Sequence, residues 1–124
     1  MTLIVCDDPV FLEDVKAILN HDAGMLIATN GNQALLFVTF IDLSVAMVDL
    51  DLSSEDGFDV ITSIRAACPA LAIIAITGVC SRDVLERAKT VGAEEVFEKP
   101  ATAEWKPIVE RLRQRSLRRR AAHN

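Results

Sequence analysis

The chain has 124 residues, the size of one domain, and buries roughly 65–70% of its unfolded surface without needing disulfide staples. Apolar residues make up 51% and aromatics 5%, with no Tyr, which excludes a disordered body and predicts an aliphatic core. The net charge of −5 conceals an asymmetry: six Arg stand at 111, 113, 115, 118, 119 and 120, and without them residues 1–110 hold seven cations against 18 acids. Such a body is not a nucleic-acid-binding surface, so no direct nucleic-acid contact is expected. Its self-repulsion also favours a bound cation. No basic stretch opens the chain as in a signal peptide, and the apolar stretch Ala34–Ile41 is too short to span a bilayer. The expected location is the cytoplasm, with no membrane insertion. Cys6, Cys68 and Cys80, odd in number and without metal-type spacing, fit free thiols in a reducing compartment.

Leu3–Cys6 is an apolar run without alternation, as in a strand covered on both faces. Pro9 then opens a helix carried by Phe11, Val15, Ile18 and Leu19. Met25–Ala28 is a second strand, closed by Asn30-Gly31, and Gln33–Ile41 a second helix. Val45–Val48 forms a third strand ending at Asp49. Gly57 opens the helix Phe58–Ala67, which Pro69 stops. Leu71–Ile76 is a fourth strand. Ser81 caps Arg82–Val91, which ends at Gly92. Glu94–Glu98 is a fifth strand, and Thr102 begins a last helix, packed through Trp105, that runs into the Arg-rich stretch. Five βα units in register predict an α/β fold: a doubly wound, five-stranded parallel sheet with five helices, flavodoxin-like (βα)5. Residues 1–112 form the body. Residues 113–124 form an Arg-rich extension, expected as a solvated or frayed tail, with a charge-based docking element as the alternative.

In such a sheet the ligand site lies at the carboxyl ends of the strands. After the first run come Asp7 and Asp8; after the third, Asp49 and Asp51; after the fourth, Thr77-Gly78; after the fifth, Lys99-Pro100. Taken singly, Asp8 reads as a helix cap, Thr77 as a β-branched strand residue and Lys99 as a solvated cation. Together they converge on one sheet edge and read as a site. Clustered carboxylates bind a hard divalent cation, and Asp7, Asp8, Asp49 and Asp51 are the candidate ligands for magnesium, with manganese as the alternative. One carboxylate can then attack phosphorus to give an aspartyl phosphate. An ammonium, a hydroxyl and the metal would stabilise the phosphoryl oxygens, making Asp49, Thr77 and Lys99 the candidate catalytic set.

These residues resemble the receiver domain of two-component response regulators. The resemblance spans residues 2–112 and rests on Asp7-Asp8, on Val48-Asp49-Leu50-Asp51 through Asp56-Gly57, on Ile76-Thr77-Gly78 and on Lys99-Pro100. Gly57 lies eight residues after Asp49; intervals of 28 residues to Thr77 and a further 22 to Lys99 also fit. The resemblance implies that Asp49 is the phosphoacceptor, that Asp7 and the main-chain carbonyl of Asp51 bind the metal, that Thr77 senses the phosphoryl group and that Lys99 pairs with it. It implies a histidine kinase or histidine phosphotransfer protein as donor, a downstream protein partner and loss of the group by hydrolysis. The chain is read as a stand-alone or excised receiver.

Five positions depart from the family pattern. Aligned without a gap on Pro9, Cys6 takes the place of the first acid, Asp7 becomes the second and Asp8 the polar follower. A one-residue gap would instead make Asp7-Asp8 the pair. Leu52-Ser53 replaces Met-Pro, losing a rigid turn residue but no chemistry. Val96 stands where the family places its switching aromatic, and Ala101 replaces another aromatic. Two rivals stay open: a receiver-like interaction module that no longer takes phosphate, and a phosphatase resembling the haloacid dehalogenase type, with Asp49-Leu50-Asp51 as its DxD motif. Flavodoxin-like cofactor binding lacks a phosphate loop after the first strand. Cys6 reads as a small buried hydrophobe. His21 and His123 are isolated, and neither reads as a phosphohistidine.

Overall fold

In the computed structural model, which describes residues 1–19 and 24–123, strands and helices alternate without exception. His21 and the side chain of His123 lie outside the described residues. Strands β1 (Thr2–Val5), β2 (Met25–Ala28), β3 (Val45–Asp49), β4 (Ala72–Thr77) and β5 (Glu95–Glu98) form one parallel sheet in the order β2-β1-β3-β4-β5. Between and after them come α1 (Pro9–Leu19), α2 (Gly31–Phe40), α3 (Gly57–Ala67), α4 (Arg82–Val91) and α5 (Trp105–His123). This is the doubly wound α/β sheet expected from the alternation. Among the described residues, no helix is long and apolar enough to cross a membrane.

The unbroken apolar runs follow from burial on two sides. Successive side chains of a strand point to opposite faces. Leu3, Val5, Ala46, Val48, Ile73 and Ala75 therefore pack with Ala34, Ile61, Ile64 and Ala88 of α2, α3 and α4. Ile4, Val45, Met47, Ile74 and Ile76 pack with Phe11, Val15, Trp105 and Leu112 of α1 and α5. On β5, Val96 faces the first cluster while Phe97 enters the second and stacks on Trp105 with centroids 4.6 Å apart. Caps set the helix starts. Asn30 accepts from Gln33 N–H at 2.9 Å, Asp56 from Phe58 N–H at 2.9 Å and Ser81 from Val84 N–H at 3.2 Å.

The last helix departs from the expected form at both ends. Thr102 only closes a turn, its carbonyl accepting from Trp105 N–H at 3.1 Å, and α5 begins at Trp105. Pro107 falls in the first turn, where a missing N–H costs nothing. At the far end the Arg-rich stretch is a docked helix rather than a frayed tail. Arg119 binds both oxygens of Glu94 at 2.6 and 3.1 Å, and Arg115 and Arg65 approach the same carboxylate at 3.7 Å. Arg120 pairs with Asp42 at 2.5 Å and also donates to the Leu43 carbonyl. Ser116, fully buried, donates to the Ala70 carbonyl at 3.2 Å. These contacts lie at the amino ends of β3 and β4, the edge opposite the Asp49 end.

Burial pulls Arg65 down from the usual guanidinium range, and Glu94 opposes that shift. Glu94→Gln would leave Arg65 part-buried beside Arg119 with no carboxylate between them. We expect a loss of about 1–3 kcal/mol, below that of a fully buried pair because the partners keep part of their surface in solvent. Amide protection in the last two turns of α5 should fall with it. A urea midpoint and exchange pattern unchanged by the substitution would show that the helix docks without this carboxylate.

Candidate functional site

Asp49 is the last residue of the central strand β3 and is 1% exposed. A carboxylate so placed needs partners, and three elements supply them. Lys99, just beyond β5, brings its Nζ to 3.0 Å from Asp49 Oδ2. Cys6, just beyond β1, donates its thiol to the same oxygen at 3.3 Å. Asp51 N–H donates to Oδ1 at 2.9 Å. Lys99 is steered from below by Phe11, whose ring centroid lies 4.8 Å from Nζ. Burial alone would lower the Lys99 ammonium, but the hydrogen bond and charge of Asp49, with Asp51 behind it, outweigh burial and raise it. The lysine is therefore charged throughout the neutral range.

Gly57 explains its own spacing. A Cβ there would stand 2.6 Å from Leu50 Cα and 2.7 Å from the Asp49 carbonyl oxygen, so only glycine lets α3 begin against the end of β3. Thr77 ends β4 and is buried. Its hydroxyl donates to the Val79 carbonyl at 3.2 Å and accepts from Val79 N–H at 3.3 Å, closing a local turn. Lys99 N–H donates to the Thr77 carbonyl at 2.9 Å, which ties the two strand ends together.

The acids divide by role. Asp8 caps α1: its Oδ1 accepts from Val10 N–H at 3.0 Å and Phe11 N–H at 3.2 Å. Asp7 turns to the loop after β3, where one oxygen accepts from Ser53 Oγ at 2.6 Å and Ser53 N–H at 3.0 Å. The hydroxyl, then the amide, holds the Asp7 carboxyl below its usual range. Ser53 is the residue that sequence reasoning passed over. Its signal was the missing proline, since proline has neither donor. Replacing it with serine adds chemistry as well as removing a rigid turn. Asp51 Oδ2 accepts from Gly78 N–H at 2.7 Å and lies 3.6 Å from Lys99 Nζ.

The candidate ligands Asp7, Asp8, Asp49 and Asp51 are thus engaged with four different sets of donors. Among the described residues, no three His, Cys, Asp or Glu gather to hold a metal. Cys6 does not replace the missing carboxylate. Burial first, with the adjacent Asp49 adding to it, pushes its thiol up to about 12, so it is a neutral donor rather than a thiolate ligand. As arranged, Asp7 would have to leave Ser53 before it could join Asp49 in holding a divalent cation.

Two substitutions separate these roles. Cys6→Asp should tighten magnesium binding at least tenfold in calorimetric titration, because it adds an acid beside Asp49. Asp8→Ala should cost about 1 kcal/mol through the lost cap and leave magnesium binding unchanged. A larger loss of ion binding from Asp8→Ala than from Asp7→Ala would mean that the pair is Asp7-Asp8.

Residues 2–112 match the family described as the response regulator receiver domain. A signal receiver domain from Vibrio parahaemolyticus superposes with a TM-score of 0.88 at 22% identity, covering 99% of this chain and 96% of that one. A response regulator protein from Burkholderia pseudomallei, solved with a phosphorylated aspartic acid, a calcium ion and citrate, gives 0.78 at 24% identity, covering 98% of this chain and 71% of that one. In sequence, a cyclic di-GMP phosphodiesterase from Thermotoga maritima is 28% identical over 103 residues, which are 82% of this chain and 27% of that protein. The chain thus spans about a quarter of the length of that relative. With a family match over nearly its whole length and structural neighbours that superpose over almost all of it, this chain belongs to the response regulator receiver domain family.

Proposed function

We propose that Asp49 accepts a phosphoryl group from a phosphohistidine on a histidine kinase or histidine phosphotransfer protein. The observation that carries this reading is the Lys99–Asp49 pair, 3.0 Å apart at the carboxyl edge of the sheet with Asp49 otherwise buried. An Asp49 oxygen attacks phosphorus, the phosphorus–nitrogen bond breaks, and the departing imidazole takes a proton from solvent. Lys99 stays beside the new acyl phosphate and offsets its charge. Thr77 would give up its bond to Val79 to donate to a phosphoryl oxygen. Water attack on phosphorus later returns phosphate and the Asp49 carboxylate.

Receiver domains work between a phosphodonor and a downstream effector, and a cytoplasmic location is part of the proposal. Magnesium, with manganese as the alternative, would bind weakly, because Asp7 would first have to leave Ser53. The phosphatase rival needs Asp51 as a free general acid–base. Instead its carboxylate is held by Gly78 N–H and Lys99, and the family match favours the receiver. The segment 1–112 serves as the receiver and 113–124 as its Arg-rich extension.

With magnesium and a small phosphodonor such as phosphoramidate, intact-mass measurement should show one added phosphoryl group, labile to hydroxylamine. Asp49→Asn should abolish it. The same variant should lower the Lys99 pKa, because burial remains while the partner charge is lost; side-chain NMR titration reads this. In the native pair the raised Lys99 pKa contributes stability that is fully present below the unfolded-state lysine value. That contribution is lost as pH rises through the folded value. Phosphorylation persisting in Asp49→Asn would remove Asp49 from its role.

A further inference from the structure

A phosphoryl group on Asp49 needs donors for its oxygens, and every donor near Asp49 already has an acceptor from the chain itself. Thr77 Oγ1 is closed onto Val79. Lys99 Nζ serves Asp49 Oδ2 at 3.0 Å and Asp51 Oδ2 at 3.6 Å. Gly78 N–H, the first amide beyond β4, donates to that same Asp51 oxygen at 2.7 Å. The approach is close: a Cβ at Gly78 would stand 3.3 Å from Asp51 Oδ2 and would push the carboxylate back by a few tenths of an ångström. The oxygen thus sits in a seat with an amide on one side and an ammonium on the other. Those two groups are what an anionic phosphoryl oxygen seeks.

The geometry points to Asp51 as a resident stand-in for the phosphoryl group: its carboxylate fills the anion seat between Gly78 N–H and Lys99 and must leave when Asp49 is phosphorylated. This rests on the phosphoacceptor reading of Asp49. The backbone of Asp51 stays in place, because its N–H is bound to Asp49 Oδ1. Only the side chain, 49% exposed, has to swing out to solvent. The next amide along the loop is held independently, Cys80 N–H donating to Glu98 at 2.7 Å. Exchange at the seat therefore acts on Gly78 while the Cys80 anchor persists. Two like charges cannot share one ammonium without loss, so the stand-in also slows acceptance of the phosphoryl group.

Inorganic phosphate, titrated into the wild type, Asp51→Asn and Asp51→Ala, tests the seat without any covalent step. The Gly78 amide in a nitrogen–proton NMR spectrum is the readout. Asp51→Ala should shift the free Gly78 amide upfield and then bind phosphate at least tenfold more tightly than the wild type, returning that amide downfield. Asp51→Asn, which keeps an acceptor but loses the charge, should fall between them. The Cys80 amide should stay still in all three. Equal phosphate response in the three proteins, or none at Gly78 in Asp51→Ala, would overturn the proposal. Phosphoramidate is then added to each. Asp51→Ala should become phosphorylated about tenfold faster than the wild type. A protein that seats phosphate at Gly78 yet takes no phosphoryl group would retain the stand-in site and remove the phosphoacceptor reading instead.

Discussion

The carboxylate of Asp49 is the constraint around which this edge of the sheet is built. It ends a strand that is buried on both faces, so water cannot satisfy it. Partners must come from neighbouring strands, and in a parallel sheet the ends of those strands lie side by side. Lys99 reaches it from β5, Cys6 from β1 and the Asp51 amide from its own loop. The aromatic floor under Lys99 and the close seat of Gly57 then hold the two loops that frame the pair. Removing Asp49 would leave the Lys99 ammonium only its longer contact to Asp51, 3.6 Å away, so the acid is needed for the shape of the site as well as for its chemistry.

Compared with the family pattern, the site has exchanged ionic ligands for hydrogen bonds. In the gap-free register a thiol donates where an acid is expected, and a serine clasps Asp7. Each exchange lowers the local negative charge or spreads it over donors. Surplus carboxylate is thereby offset at its most crowded point by donors of the chain itself.

The fold was legible because burial on both faces leaves a simple mark. Runs such as Val45–Val48 and Leu71–Ile76 have no polar alternation, and punctuation by Gly57, Pro69, Ser81 and Gly92 separates them. The convergence of Asp49, Thr77 and Lys99 followed from topology alone. What stayed hidden were pairings between side chains of compatible type far apart in sequence. Asp7 and Ser53 are 46 residues apart, and the sequence offers no reason for that serine to turn toward that acid. The direction of the Asp51 side chain depends on a single rotamer choice between Gly78 and solvent. Composition argued for a loose Arg-rich tail, because runs of like charge repel. The folded chain answers with Glu94 and Asp42, contributed by segments that composition cannot place beside it. The start of α5 moved for a local reason: Thr102 satisfies a turn and not a helix.

The aromatic stack beneath the site has an optical consequence. With no Tyr and one Trp in the chain, near-ultraviolet absorption and emission arise almost wholly from the indole of Trp105. That ring lies face to face with Phe97 and edge-on to Phe11, 6.0 Å between the latter centroids. Phe11 in turn carries the Lys99 ammonium 4.8 Å from its centroid. A charge rearrangement around Asp49 therefore reaches a buried fluorophore through a single intervening ring. The chain carries its own spectroscopic reporter, placed on the inner wall of the site and shielded from solvent quenchers.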